Sequence, residues 1–126
     1  MQCPGHVNAI ATRGSRGLSV LVWNYADKGL SEPEAAVECA IRGIPAGHSS
    51  VLLEHYRIDR QHSNAYSAWE KMGLPKQPSP EQQAQLESAG QLQLMDSPRW
   101  TKAGGRDVIL HFTLPSQAVS LLRFSW

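Results

Sequence analysis

The stretch Leu18-Ser19-Val20-Leu21-Val22-Trp23-Asn24-Tyr25 decides the fold class. It is rich in β-branched and aromatic residues, and apolar side chains fall on both of its faces. That is the pattern of a strand covered on both sides or central in a sandwich. Just upstream, Val7 to Thr12 reads as a weaker strand. The connection Arg13-Gly14-Ser15-Arg16-Gly17 is turn chemistry, since its two glycines tolerate positive φ, and the pair reads as a hairpin. Downstream, Ala35 to Ile41 alternates: Ala35, Val37, Cys39 and Ile41 share one face, Glu38 and Arg42 take the other, and the strand is half exposed. Pro45-Ala46-Gly47-His48 turns the chain. Ser49 to Asp59 then makes a long strand, with Val51, Leu53 and His55 facing one way and Leu52, Tyr56 and Ile58 the other.

The period then changes. Ser63 is placed to cap a short helix from about Asn64 to Met72, with Ala65, Ala68, Trp69 and Met72 at three- and four-residue spacing and Gly73 at its stop. Ser79-Pro80-Glu81-Gln82 opens a second helix with a Ser cap, Pro at the first helical position and Gln three residues after the cap; it runs to Ala89 and stops at Gly90. Both are too short to stand alone and must dock through Trp69, Met72 and Leu86. Two strands close the chain. Asp107 to Leu114 sets Val108, Leu110, Phe112 and Leu114 against His111 and Thr113. Ala118 to Trp126 sets Leu122, Phe124 and Trp126 against Val119, Leu121 and Arg123, after a Pro115-Ser116-Gln117 turn. Four strands, two short helices and two strands, with no long helix between strands, point to a mainly β fold: an antiparallel β-sandwich with a short two-helix insertion over about 63–89.

Composition agrees. With 126 residues there is room for one domain, and 41% hydrophobic against 18% charged residues is a globular balance. A net charge of +1 gives no reason to expect nucleic acid or an anionic membrane surface as a partner. No apolar run approaches the ~20 residues of a membrane span. The start, Met1 to His6, has neither the basic nor the apolar region of a secretory signal, so the cytoplasm is the default expectation. Residues 1–6 are expected to be a disordered or artefactual start, and 7–126 the domain. Cys3 and Cys39 allow one bridge, but Cys3 sits in the tail and Cys39 among apolar residues, so a disulfide is not expected.

The chemistry-bearing residues form no familiar catalytic pattern. The acids are scattered over loops and helix surfaces, only Glu54 and Asp59 lie in a strongly apolar strand, and no paired cleft is legible. His55, Ser63 and Asp59 supply the residue types of a hydrolytic triad, but no GxSxG elbow accompanies them and Ser63 sits where a cap belongs. His48, His62 and His111 have no metal-ligand spacing. Gly14 to Gly17 and Gly104-Gly105 read as hairpin turns rather than phosphate loops. Trp23 and Tyr25, two apart on one strand face, suit either a sugar-stacking strip or a core, and the core reading is preferred. The run from His55 to Tyr66 is dense in polar and aromatic side chains. Arg57, Asp59, His62 and Asn64 can make charge-assisted hydrogen bonds, either as a local network at a strand-to-helix corner or as a docking surface for a neighbouring domain.

These motifs carry a resemblance. Ser19 to Tyr25, His55 to Asp59, His62 to Tyr66, Trp69 with Met72-Gly73 and Pro75, Pro80 to Gln82, Ala89 to Leu92, Leu114-Pro115 and Gln117 to Leu122 resemble, in that order, the C-terminal β-sandwich region of glycoside hydrolase family 39. That family holds β-xylosidases and α-L-iduronidases, and the likeness, strongest to bacterial β-xylosidases, covers nearly all of Val7 to Trp126. The resemblance implies a parent enzyme that hydrolyses xylo-oligosaccharides with retention, using two glutamates in a (β/α)₈ barrel. A barrel takes about 250 residues, so neither glutamate maps onto this chain. The expectation is a detached accessory domain, from a truncated reading frame or a split gene. It would be inactive alone, with no catalytic, cofactor or metal residue assigned. Its expected partner is a catalytic barrel in a parent or partner chain, with xylo-oligosaccharide as a further ligand. Arg57, Asp59, His62, Asn64, Tyr66, Trp69 and Met72 are the candidate docking residues; an independent carbohydrate-binding module is the alternative.

Overall fold

The computed structural model describes residues 6–26 and 33–126. Among the described residues, eight strands and two helices follow one another as β1 (Val7–Arg13), β2 (Gly17–Asn24), β3 (Ala35–Ile41), β4 (Ser50–Ile58), α1 (Ala65–Lys71), α2 (Pro80–Ala89), β5 (Gln93–Leu94), β6 (Arg99–Lys102), β7 (Val108–Leu114) and β8 (Ala118–Ser125). All pairing is antiparallel. The larger sheet runs β1-β2-β8-β4, and the far edge of β4 is shared by β6 at its start and β5 at its end. β3 and β7 form a separate two-stranded ladder. The core lies between these unequal layers: Val20, Val22, Leu53, Leu122 and Phe124 from the larger sheet meet Val37, Cys39, Val108, Leu110 and Leu114 from the smaller. The expected mainly β fold with a two-helix insertion is what the chain adopts.

Alternation explains the layers. Cross-strand neighbours share a face, so Val7, Val22, Ser120 and Arg57 point inward with the rest of their parity set, and the odd-numbered residues of β2 and β8 point out. Two buried polar side chains tie the layers together. Asn24 Nδ2 donates to Leu114 O at 3.0 Å, and an Arg57 Nη donates to Thr113 O at 2.9 Å, both onto β7 from the opposite sheet. Gly17 is required by a close approach: a Cβ there would stand 2.5 Å from the Phe124 carbonyl oxygen on the neighbouring strand.

Several local expectations are corrected. β2 is internal in its sheet, but only its inner face is buried; Leu21 is exposed on the other. Tyr25, at 60% exposure, and half-buried Trp23 stand on that outer face instead of in the core. Ser63 does not cap α1. It adopts a positive φ of 54°, while Asn64 is the cap, accepting from Ser67 N–H at 3.0 Å. Asn and Ser are comparable caps, and here the Ser63 hydroxyl is engaged instead by Arg57 O and Gln93 N–H. The two short strands β5 and β6 carry too little alternation to be read from sequence. Gly104-Gly105 closes a tight turn with Asp107, but β6 and β7 on either side belong to different sheets, so it is not a hairpin. The capping box at Ser79 and Gln82 forms as read, with Ser79 N–H on Gln82 Oε1 at 2.9 Å and Gln82 N–H on Ser79 Oγ at 3.2 Å. Cys39 is buried; Cys3, Asp27 and Glu32 lie outside the described residues.

Candidate functional site

The end of β4 carries the polar cluster singled out in the sequence. Arg57 points inward and is 2% exposed. Its Nε donates to Ser120 Oγ at 2.9 Å, and one Nη lies 3.5 Å from Asp59 Oδ2. Asp59 Oδ1 accepts from Gln61 N–H, His62 N–H and His62 Nδ1, each at 2.8 Å. Burial alone would raise the Asp59 carboxyl; the Gln61 and His62 hydrogen bonds outweigh it and hold it below the usual carboxylate range. Asn64 Nδ2 donates back to Asp59 O at 3.0 Å. The structure therefore brings Arg57, Asp59, His62 and Asn64 together, and their polar atoms satisfy one another at the base of the helices.

Ser63 joins the same corner. Its hydroxyl donates to Arg57 O at 2.8 Å and accepts from Gln93 N–H at 2.7 Å. The hydrolytic grouping weighed for His55, Ser63 and Asp59 does not assemble: His55 binds Ser120, Ser63 binds backbone, and Asp59 binds His62. Among the described residues no three His, Cys, Asp or Glu gather as a metal group.

A buried polar group that sequence reasoning missed lies one row along. His55 Nε2 is 2.8 Å from Ser120 Oγ, and its ring stands edge-on to Phe112 with centroids 5.1 Å apart. Arg57 Nε–H can only donate to Ser120 Oγ. The Ser120 hydroxyl thus lies between the Arg57 Nε–H, from which it accepts, and His55 Nε2, and it serves both buried side chains. Burial, followed by the Arg57 charge, lowers the imidazole to about 4. Ser120, a lone polar residue sharing parity with Ala118, Leu122 and Phe124 in an apolar strand, was the available signal.

The remaining candidates ride on α1. Tyr66 is 62% exposed and its ring contacts that of Trp69 at 5.7 Å. Trp69 is half buried, its Nε1 donating to Pro75 O at 2.9 Å, and Met72 is half buried at the helix end. Neither helix buries a residue fully, and the two pack mainly on each other.

The outer face of the larger sheet is the other conspicuous surface. Strand register aligns Ile10, Leu21, Leu121, Tyr56 and Leu94 in one row across five strands. Trp23, Val119 and Ile58 form a second row beside it, and Leu52 with Trp100 a third. Ile10 is 58% and Trp100 69% exposed. The ionisable groups amid these rows hold one another: Arg123 is directly opposite Glu54, and Tyr56 Oη donates to Glu54 at 2.7 Å. That hydrogen bond, more than burial, raises the Tyr56 phenol above its ordinary value, with Arg123 pulling the other way.

The family model described as glycosyl hydrolases family 39 matches residues 6–107. The chain belongs to glycosyl hydrolase family 39. It is 36% identical over 86 residues to the α-L-iduronidase of Mus musculus, covering 68% of this chain and 13% of that protein. Among solved structures, the family 39 enzyme from Xanthomonas axonopodis pv. citri shares its fold at a TM-score of 0.77 and 21% identity, over 93% of this chain and 25% of that one. A monomeric β-xylosidase from Caulobacter crescentus CB15 gives 0.72 and 16%, over 93% and 26%. A bacterial orthologue of human α-L-iduronidase gives 0.78 and 17%, over 94% and 22%. The family 39 chain described here thus spans about a quarter of these solved relatives and a smaller share of the mouse enzyme. No helix among its described residues is long and apolar enough to cross a membrane.

Proposed function

We propose that this chain is a non-catalytic accessory β-domain of a family 39 glycoside hydrolase, docked on a catalytic (β/α)₈ barrel outside it. The observation that carries the reading is that 93% of the chain superposes on only a quarter of the Xanthomonas enzyme. The hydrolysis of xylo-oligosaccharides by the parent enzyme is the reaction this domain would support. On this reading the helical arm is a contact with the barrel. Tyr66 stands exposed on α1 with its ring tilted against half-buried Trp69, Met72 follows, and Arg57, Asp59, His62 and Asn64 fix the arm's base. Aromatic side chains offer large contact area at low entropic cost, which suits an interface.

The purified chain should release no nitrophenol from nitrophenyl-xyloside. Release that is lost on changing Glu54 or Asp59 would overturn the reading. Tyr66→Ser should leave stability intact and weaken association with a family 39 barrel supplied in trans. A second reading, an independent carbohydrate-binding module, is favoured by the exposure of Tyr25 and Trp100. Quenching of Trp fluorescence by xylo-oligosaccharide in the wild type, lost in Trp100→Ala, would select it.

A further inference from the structure

We propose that the outer face of the larger sheet is a self-association surface, and that its occupant is a second copy of this chain stacked sheet on sheet. The inner face of that sheet is used by the core, whereas on the outer face Ile10, Leu21 and Leu94 are exposed and Leu121 and Tyr56 between them are half-buried. Contiguous apolar surface of this extent marks an interaction site. Its makeup is more aliphatic than aromatic. Branched side chains such as Ile10, Leu21 and Leu121 interdigitate with another sheet face, whereas a sugar ring wants a flat platform.

Charge placement selects the second copy. β8 and β4 are the central strands of the sheet, and Glu54 and Arg123 sit directly opposite each other across them. Take a two-fold axis in the interface plane, parallel to the strands and between β8 and β4. It sets β4 of one copy over β8 of the other. Glu54 then meets Arg123 of the second copy, and the reverse pair forms at the same time, as an isologous interface requires. The same operation lays Leu121 against Tyr56 and Leu21 toward Leu94, apolar on apolar. A net charge of +1 adds no repulsion between copies. The contact uses a face distinct from the helical arm, which on the proposed function is the part that meets the barrel.

The test is sedimentation velocity of the purified chain from about 5 to about 200 µM, read as mass action. The wild type should shift from monomer to dimer, and Leu21→Lys should weaken the dimer roughly tenfold or more while the circular dichroism melt stays put. The decisive arm is a charge-swapped pair. E54R alone opposes Arg with Arg, and R123E alone opposes Glu with Glu, so each should be monomeric. Mixed in equal amounts they should form a heterodimer, which a purely internal Glu54–Arg123 contact would not produce. A monomeric wild type across the range, a dimer indifferent to Leu21→Lys, or a mixture that stays monomeric would overturn the proposal.

Discussion

Acid should loosen this domain through His55, in a pH window that its surroundings define. In the folded chain the ring is held neutral, lowered to about 4, against an ordinary 6.5 when unfolded. The groups that face it or act on it are Ser120 from β8, Arg57 on its own strand, Asp96, Arg99 and the His62 ring, with apolar Phe112 from β7. A group whose folded value is depressed contributes stability above its unfolded value and loses it as pH falls toward the folded one, because the unfolded chain takes up the proton first. His55 therefore contributes fully above about pH 6.5, and the contribution drains away toward pH 4. Between pH 7.5 and 5 the loss comes to about 2 kcal/mol, a fall of roughly 6–10 °C in Tm for a chain of this size. Asp59 is also depressed, but its ordinary value is already 3.8, so it enters only at lower pH. Urea unfolding at pH 7.5, 6 and 5 measures the slope. His55→Gln keeps an acceptor toward Ser120 without a titrating ring and should flatten it. If His55→Gln retains the wild-type slope, or the His55 ring titrates near 6.5 by NMR, the argument fails.

Ser120→Ala should cost about 1–3 kcal/mol in urea unfolding, because it strips a buried partner from both His55 and Arg57. Gly17→Ala should destabilise by about 1–3 kcal/mol, since the new methyl group has to push the β2–β8 ladder apart at Phe124, and amide exchange should quicken there first. Ser79→Ala should cost about 0.5–2 kcal/mol through the lost capping box, seen as reduced helical signal with the strands unaffected.

The alternation in β3 and β7 was strong enough in the sequence to name the inward residues, whereas β4 and β8, apolar on both parities, yielded their two faces and not which of them is inward. β5 and β6 were not legible: two and four residues, Gln93–Leu94 and Arg99–Lys102, carry no period. Their pairing is imposed from outside by the free edge of β4. The corner cluster was legible as a group of residues and not as a geometry. Arg57 is polar, yet its parity with Val51, Leu53 and His55 sends it into the core, and that parity was present in the sequence. The apolar outer face was hidden for the opposite reason. Leu21 and Trp23 looked like evidence for burial on both sides, and only the fold, which sets the second layer β3–β7 against the other face of the sheet, shows Leu21 exposed and Trp23 half-buried on the outside.

Ser63 has one more implication, for how this domain can change over generations. Its hydroxyl grips Arg57 O on one side and Gln93 N–H on the other, so the two ends of the helical arm are clipped together at its root. Residues 64–92 leave and re-enter at a single point beside β4. Closing a shorter or longer loop across a fixed gap changes the entropy only slowly with length. The arm can therefore be trimmed, lengthened or replaced without disturbing the register of Arg57 against Gln93. It behaves as an exchangeable cassette, free to be refitted to new surroundings while the strands beneath it stay as they are.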